Sequence, residues 1–294
     1  MTTLAGLTLR SPVLVAAGCG GTGRELLPYL GADGLAALGG FVTRTITLDP
    51  RPGGPAPRVV ETPAGLLHAT GLPNPGLEPF LATELPWLVR HDARVVVSIT
   101  GRTIGEHAEL ARRLGRAPGV GAVELNLADP EAPPAEPFHV AAVVAAVRRD
   151  LPGGVPLLAK IRPDLLRVVE TARAVLEAGA AAVVVGHSQP GALPDGRPAG
   201  LAGPAIRPLA LRCVAEVRAA LPAAEVVGCG GVATAADARS FLAAGAVAVQ
   251  VGTALLHDPT TVARMVAELA ADSAGDPSTG SPADAAEPSE EHAR

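Results

Sequence analysis

The sequence is almost without lysine. All but one of its 24 Lys and Arg residues are arginine, and the single lysine, Lys160, lies in the apolar, strand-like run 155–163. A surface charge at this position would not require lysine, because arginine would serve equally well. The alternative to a functional role is that Lys160 is an accident of an alanine-rich composition. Lysine differs from arginine in being a compact point charge whose pKa shifts on burial, which suits it to Schiff-base chemistry or to stabilising a small developing anion. Lys160 is therefore a candidate catalytic residue.

Other absences exclude several classes of protein. Aromatic residues make up only 2%, which disfavours proteins that stack nucleic-acid bases. A net charge of −5 without a basic run offers no electrostatic site for nucleic acid or for an anionic membrane. No apolar run approaches the roughly 20 residues that span a bilayer. Because Cys19, Cys213 and Cys229 are far apart in the sequence, we expect no disulfide framework or metal site, and we expect a cytoplasmic location.

Short β-branched runs alternate with alanine-rich amphipathic segments along the chain. The predicted strands are 13–17, 41–48, 94–100, 122–128, 156–161, 181–186, 225–228 and 246–252. The predicted helices are 24–30, 77–89, 104–114, 140–151, 165–178, 208–221, 235–244 and 260–271. Eight alternations with apolar strands predict an α/β fold, a single-domain (β/α)8 TIM barrel whose functional residues follow the strands. A doubly wound sheet is the alternative, but it would require a glycine-rich turn at the first helix and fewer repeats.

Two connections, residues 49–76 and 188–207, are too long for simple turns. Both follow predicted strands, so we expect them to form long loops over the C-terminal mouth of the barrel, as substrate-covering loops do. The end of the chain is rich in Ser, Pro, Ala, Asp and Glu. Residues 1–271 are therefore predicted to form the barrel domain and residues 272–294 a disordered acidic tail.

Two late strand ends are rich in glycine. Residues 228–231 (GCGG) end the seventh predicted strand, and Gly252 with Thr253 ends the eighth. In a barrel these two loops commonly bind phosphate through backbone N–H groups, although glycines also simply end strands. With Lys160 at the same mouth, two mechanisms fit. Lys160 could form a Schiff base with a sugar phosphate, or it could be a fixed cation beside a flavin whose phosphate the glycines hold.

Longer motifs follow one another in a specific order. They are 43–51 (TRTITLDPR), 57–63 (PRVVETP), 65–76 (GLLHATGLPNPG), 124–126 (ELN), 159–161 (AKI), 200–208 (GLAGPAIRP) and 249–254 (VQVGTA). Over about residues 5–270, this ordered set closely resembles the dihydroorotate dehydrogenase family, especially its class 1 members. The resemblance implies an FMN-dependent oxidoreductase that acts on a CH–CH group.

The resemblance also implies residues that bind FMN. The positions that match cofactor contacts are Ala17, Gly18, Ser98, Asn126, Lys160, Gly203, Gly230, Gly231, Gly252 and Thr253. Lys160 matches the lysine near the N1 side of the flavin, and the last five residues match the phosphate cradle. An aldolase has no use for the matches at Gly18 and Asn126, which favours the flavin.

The substrate side departs from the family pattern. Asp129 replaces the cysteine that serves class 1 members as base, and only Asn126 remains of the asparagines that bind orotate. The other substrate positions hold Arg44, His68, Glu131, His187 and Ser188. An ionised Glu131 offers only acceptors and would repel a substrate carboxylate, whereas two histidines and Arg44 could supply compensating positive charge. An Asp129 carboxyl with a pKa of about 4 is a poorly matched base near neutral pH unless the 49–76 loop desolvates it.

We therefore predict oxidation of dihydroorotate to orotate in pyrimidine biosynthesis, or of a related cyclic substrate, with Asp129 and Lys160 as catalytic residues. The alternatives are a Schiff-base lyase that uses Lys160 and a flavin-binding paralogue without dihydroorotate activity. Members of this family are commonly dimers, so the resemblance implies that this chain forms a homodimer. It also implies an iron–sulfur/FAD electron-transfer subunit, because the class 1B form of the family pairs with one.

Overall fold

The structure, a computed structural model, describes residues 2–128 and 136–275. Its strands in chain order are β1 (Thr2–Leu4), β2 (Leu7–Leu9), β3 (Val13–Val15), β4 (Gly40–Val42), β5 (Val59–Thr62), β6 (Gly65–His68), β7 (Val95–Ile99), β8 (Val120–Asn126), β9 (Leu157–Ile161), β10 (Ala182–Val185), β11 (Gln189–Ala192), β12 (Pro198–Ala202), β13 (Val226–Cys229) and β14 (Ala248–Val251). Its α-helices are α1 (Leu77–Pro79), α2 (Leu85–Arg90), α3 (Ile104–Leu114), α4 (Pro137–Asp150), α5 (Val168–Glu177), α6 (Arg207–Ala220), α7 (Ala235–Ala243), α8 (Ala254–His257) and α9 (Thr261–Gly275). A π-helical turn, Phe80–Glu84, joins α1 to α2.

Eight parallel strands close into a barrel. They follow one another in chain order as β3, β4, β7, β8, β9, β10, β13 and β14, and β14 pairs back onto β3. An α-helix follows each barrel strand except β3. The predicted (β/α)8 TIM barrel is therefore confirmed, since apolar strands covered by amphipathic helices bury both faces of a parallel sheet.

The barrel interior changes character along its axis. Alternate side chains of each strand point inward, and the inward residues toward the amino-terminal end form one apolar cluster that includes Val96, Ala122, Leu158 and Ala248. The β1–β2 hairpin packs Leu4 and Leu9 onto this cluster. Two residues further along the same strands, the inward positions carry buried polar side chains: Ser98, Glu124, Lys160 and Gln250. This polar layer lies just below the C-terminal mouth.

The first connection differs from the prediction. Residues 24–30 were expected to form a helix, but the described segment between β3 and β4 contains only short 3-10 turns, Leu27–Tyr29 and Gly34–Ala37. Pro28 lies within this segment and has no backbone N–H to donate to an α-helical hydrogen bond. The N–H groups of Tyr29 and Leu30 donate to the carbonyls of Leu26 and Leu27, three residues earlier, as in a 3-10 turn.

Strand β4 is also shorter than the predicted strand 41–48. After Val42 the hydroxyl of Thr43 accepts the backbone N–H of Ser98 at 3.1 Å, so a side chain replaces the next backbone acceptor. Backbone pairing resumes when the N–H of Ile46 donates to the carbonyl of Ser98 at 2.8 Å. The strand-two motif is therefore a distorted edge of the barrel mouth, and its threonine side chains supply part of the hydrogen bonding.

The two long connections pair with each other above the barrel. Hairpin β5–β6 belongs to the first connection and hairpin β11–β12 to the second, and β6 pairs antiparallel with β12, placing His68 opposite Gly200. The result is a four-stranded sheet in the order β11, β12, β6, β5, called the cap sheet below. The expectation that both connections cover the mouth is confirmed, but their strand structure was not predicted.

The last helix extends beyond the predicted end of the barrel domain. Helix α9 continues to Gly275 rather than ending at residue 271, and residues 276–294, which form most of the predicted tail, lie outside the described residues. Among the described helices, none combines the length and the apolar character that crossing a membrane requires.

Candidate functional site

A cavity of about 260 Å³ lies between the C-terminal mouth of the barrel and the cap sheet. Most of the residues predicted from the sequence line this cavity: Ala17, Gly18, Arg44, His68, Asn126, Lys160, His187, Ser188, Gly203, Gly230, Gly231, Gly252 and Thr253. These residues lie on or just after seven barrel strands, or on and beside the strands of the cap sheet, so the closure of the barrel brings them together. Asp129 and Glu131 lie outside the described residues.

The floor of the cavity holds a buried ion pair. Lys160, which is 3% exposed, lies with its Nζ 3.6 Å from Oε1 of the fully buried Glu124. The same Nζ donates to Oε1 of Gln250 at 2.7 Å, and Nε2 of Gln250 donates to Oε2 of Glu124 at 2.5 Å. Burial alone would lower the pKa of Lys160. The fields of Cys229 and then Glu124 act in the opposite direction, and the pKa lies above its ordinary value. Lys160 is therefore an ammonium at neutral pH.

A chain of hydrogen bonds runs beneath Asn126 at the end of β8. Its amide nitrogen donates to Oγ1 of Thr45 at 3.3 Å, and Thr45 Oγ1 lies 3.0 Å from Oγ of Ser98. Its amide oxygen accepts the N–H of Ala128 at 3.3 Å. Asn126 and Thr45 line the cavity, whereas Ser98, fully buried, lies behind Thr45 and does not. Ser98 thus reaches the cavity only through Thr45, unlike the direct contact that the sequence suggested.

Glycine turns form one wall of the cavity. Gly203 and Gly231 have φ angles of +102° and +71°, and a Cβ on Gly231 would lie 2.7 Å from the carbonyl oxygen of Gly203. Their close approach therefore excludes any side chain at Gly231. Across the mouth, Gly18 has a φ of +84°, and a Cβ there would meet no protein atom within 4 Å. Backbone is thus exposed on both sides of the cavity, as binding of a phosphate-bearing ligand requires.

The substrate-side residues meet under the cap sheet. Nε2 of His68 lies 2.5 Å from Oγ of Ser188, which joins the two cap hairpins through a side-chain hydrogen bond. The N–H of Ser188 donates to Nδ1 of His187 at 2.9 Å, so the proton of the neutral His187 ring resides on Nε2. Burial and then the positive charge of Lys160 lower the pKa of His187 well below its ordinary value. His187 is therefore a neutral donor.

Arg44 enters the same space from the strand-two motif. Its Nε is buried and has no hydrogen-bond partner among the described residues, and Arg44 is one of the residues that line the cavity. A buried donor without a partner is uncommon in proteins, and a guanidinium suits a planar carboxylate or phosphate. Arg44 thus provides an unused donor for an anionic ligand.

Several cavity residues were missed by the sequence analysis. Cys19, Thr45 and Cys229 line the wall, and Glu124 and Gln250 lie directly below it. All three cysteines of the chain are free thiols, and burial raises the pKa of Cys19 to about 11. A polar residue within an otherwise apolar strand, as at Glu124 and Gln250, is the signal that could have found the last two. Among the described residues no cluster of His, Cys, Asp and Glu could hold a metal ion.

The chain is similar to known proteins over most of its length. The family model for dihydroorotate dehydrogenase matches residues 1–272. The chain is 43% identical over 281 residues to the protein of Desulforudis audaxviator named dihydroorotate dehydrogenase B (NAD(+)), catalytic subunit, and 90% of each chain is covered. It is 42% identical over 272 residues to the protein of that name in Pelobacter propionicus, covering 87% of this chain and 88% of that one.

A solved structure has the same fold. The crystal structure of DHODH from Eimeria tenella in complex with ferulenol matches with a TM-score of 0.78. The match covers 93% of this chain and 85% of that one at 22% sequence identity. A likeness at this identity concerns the barrel architecture alone.

Proposed function

This chain belongs to the dihydroorotate dehydrogenase family, and we propose that it oxidises dihydroorotate to orotate in pyrimidine biosynthesis with a bound FMN. The observation that carries the proposal is the buried Lys160 ammonium, which lies at the floor of a cavity walled by glycine turns. When bound, FMN supplies a two-electron acceptor for oxidation of a CH–CH bond. A fixed cation at this floor would favour the negative charge that develops on reduction.

The residues present fit FMN. The backbone of Gly203, Gly230, Gly231, Gly252 and Thr253 would hold its phosphate, since glycine lets the main chain approach an anion closely. Ala17, Gly18, Asn126 and Lys160 would surround the ring, with Ser98 acting through Thr45. The largely aliphatic wall contributed by Leu66 and Ile206 would exclude water from the site.

On the substrate side, Arg44 would bind the substrate carboxylate through the donor that has no partner within the described protein. His187, neutral and protonated on Nε2, would donate to a substrate carbonyl, and His68, Ser188 and Asn126 would complete the ring of polar contacts. Asp129 would take the proton from the substrate carbon, and Glu131 would accept from a ring N–H. These last two assignments rest on the sequence alone.

The Schiff-base alternative is not favoured. A Schiff base requires the free amine of Lys160 as nucleophile, but the pKa of this group is raised rather than lowered. The 3.6 Å contact with Glu124 retains the ammonium. The geometry therefore suits a fixed charge better than it suits covalent catalysis.

We also propose that the chain acts as one subunit of a larger enzyme. The relatives are named as catalytic subunits of an NAD(+)-linked enzyme, so we propose an electron-transfer partner with an iron–sulfur centre and FAD, together with a homodimeric arrangement of this chain. The three free thiols support a reducing, cytoplasmic location. Residues 1–271 would form the functional domain and the remaining tail would take no part in catalysis.

Anaerobic reduction tests the central proposal. The purified protein is expected to carry flavin absorbance that dihydroorotate bleaches, and Asp129→Asn should slow bleaching by about 10²–10⁴-fold, as expected for loss of a general base. Asp33→Asn is the matched control, because Asp33 is exposed and makes no capping hydrogen bond; it should bleach at the normal rate. A protein that cannot be reconstituted with FMN would refute the cofactor. A yellow protein that no dihydropyrimidine bleaches would refute the substrate.

A further inference from the structure

The interior of the barrel is apolar except for the layer just below the cavity. Glu124 and Gln250 belong to that layer and are 0% and 1% exposed. Neither lines the cavity, whereas Lys160 does. The hydrogen bonds and the ion pair of Glu124 and Gln250 therefore reach the cavity through Lys160.

The hydrogen bonds of this layer fix both partners of Lys160. The amide of Gln250 bridges the pair, since it donates to Glu124 through Nε2 and accepts from Lys160 through Oε1. Only this orientation of the Gln250 amide is possible, because its oxygen, an acceptor, cannot bond to the Glu124 carboxylate, which also only accepts. The ammonium Nζ also lies 3.6 Å from Glu124 Oε1, which has no hydrogen-bond partner of its own among the described residues.

Such a layer is costly if its only role is structural. Burying two charges removes their hydration, and replacing a buried ion pair by apolar side chains of similar volume is often neutral or stabilising. The neighbouring inward positions, such as Ala122, Leu158 and Ala248, are apolar. The polar layer is therefore better explained by what it does to Lys160.

We propose that Glu124 and Gln250 are positioning residues that keep Lys160 charged and hold its ammonium at the cavity floor. The consequence for a flavin rests on the proposed function, but the charge and the placement of Lys160 do not. A neutral Lys160 would lose its attraction for a reduced, anionic ring. A mobile Lys160 would lose its fixed distance from that ring.

The other titratable groups around Lys160 do not carry this charge. Cys229 on β13 and Cys19 after β3 face Lys160, and their fields raise its pKa only when the thiols are ionised. Burial raises the pKa of both thiols, so they are neutral near neutral pH. On the cap side His187 is neutral, because burial and Lys160 lower its pKa. Glu124 is therefore the anionic partner of Lys160 among the described residues. The raised pKa of Lys160 is consistent with this arrangement.

The single lysine of the chain permits a direct test. Protein grown with ¹³Cε-labelled lysine gives one lysine signal, whose shift reports the protonation of Lys160 without any turnover. In the unaltered holoprotein we expect the signal to keep its ammonium position up to about pH 10. In Glu124→Gln the burial remains and the charge is lost, so the midpoint should fall by about one to three pH units. Glu124→Asp, which keeps the charge, should restore most of the shift.

Gln250→Met separates orientation from charge. It removes the bridge but retains Glu124, so the midpoint should fall by less than in Glu124→Gln while the lysine signal broadens. Circular dichroism and thermal unfolding identify variants that remain folded. If Glu124→Gln fails to fold, Glu124→Asp and Gln250→Met still decide the outcome.

Two results would overturn the proposal. One is a folded Glu124→Gln protein, or a folded Gln250→Met protein, whose lysine signal matches the unaltered protein in both midpoint and width. The other is an unaltered Lys160 that is already neutral at pH 8. Failure of dihydroorotate to bleach the flavin would refute the proposed function instead, because the lysine titration does not depend on turnover.

Discussion

At Lys160 the composition, the strand alternation and the tertiary contacts agree. The sequence keeps one lysine among 23 arginines, and the structure puts it beside Glu124 and Gln250 at the floor of the cavity. A guanidinium is larger and planar, and it would not fit the single ammonium position between a carboxylate and an amide oxygen. The same cation acts on His187, whose pKa it helps to lower. Burial and the charge of Lys160 together thus keep His187 neutral across the cavity.

The histidine gives a prediction about pH and stability. An unfolded histidine titrates near 6.5, whereas His187 in the folded protein binds its proton only at lower pH. Between these two values the unfolded chain binds more protons, so the free energy of unfolding should decrease as pH falls below about 6.5. In His187→Asn this part of the decrease should be absent, and the exposed His257→Asn should behave like the unaltered protein. Urea denaturation between about pH 7 and pH 5 measures the free energy of unfolding. If this free energy changed equally steeply with pH in the unaltered protein and in His187→Asn, the prediction would be contradicted.

Among the elements, the cap sheet depends on close backbone contact. A Cβ on Gly65 would lie 2.0 Å from the carbonyl oxygen of Ala202, because β6 pairs with β12 at this point. The barrel strands have no such dependence on Gly65. The cap sheet and the barrel should therefore respond differently to a substitution there.

Gly65→Ala should open the cap sheet without unfolding the barrel. Forcing a methyl group into this contact costs about 1–3 kcal/mol, which corresponds to roughly a 5- to 150-fold rise in cap opening. Trypsin cleavage after Arg58, followed by mass spectrometry, should accelerate accordingly. Gly153→Ala, whose new Cβ meets nothing within 4 Å, should leave the rate unchanged. An unaltered rate in Gly65→Ala would mean that the cap sheet does not open at the β6–β12 pairing.

Other elements show where local patterns mislead. Periodicity placed the barrel strands correctly, but it also suggested a helix at 24–30, where the backbone forms a 3-10 turn, Leu27–Tyr29, instead. It suggested a strand through 41–48, where Thr43 replaces a backbone acceptor. In both segments backbone conformation and side-chain hydrogen bonds outweigh the hydrophobic pattern, and a pattern of residue types does not encode either of them.

At the scale of the whole molecule, the described chain offers a barrel and a cap but no second α/β unit. A dinucleotide site requires a parallel sheet with a glycine-rich turn at the start of a helix, and none of the described strand–helix junctions outside the barrel provides one. The described part of the chain therefore shows no dinucleotide site of this kind. This agrees with the proposal of a separate electron-transfer subunit.

The purified chain alone should oxidise dihydroorotate with an artificial dye as acceptor. It should form NADH at least about 100-fold more slowly than the complete enzyme, because without the partner subunit NAD(+) is not positioned for the reaction. Adding the electron-transfer subunit should restore NADH formation. Measuring dye reduction and NADH absorbance on the same preparation distinguishes dihydroorotate oxidation from NADH formation. Rapid NADH formation by the chain alone would refute the need for a partner.

The sequence by itself determined the barrel and predicted that the glycine turns and Lys160 meet at its mouth, because each depends on a local pattern: alternating strands and helices, glycines at strand ends, and one exceptional residue type. Only the tertiary structure decided that Glu124 and Gln250 lie against Lys160, since they are 126 residues apart in sequence and meet when the barrel closes. It also decided that Ser98 lies behind Thr45 and that the two long connections pair as the cap sheet. The physical reason is that burial and the hydrogen-bond partner of a polar side chain are properties of the closed barrel and not of the neighbouring residues.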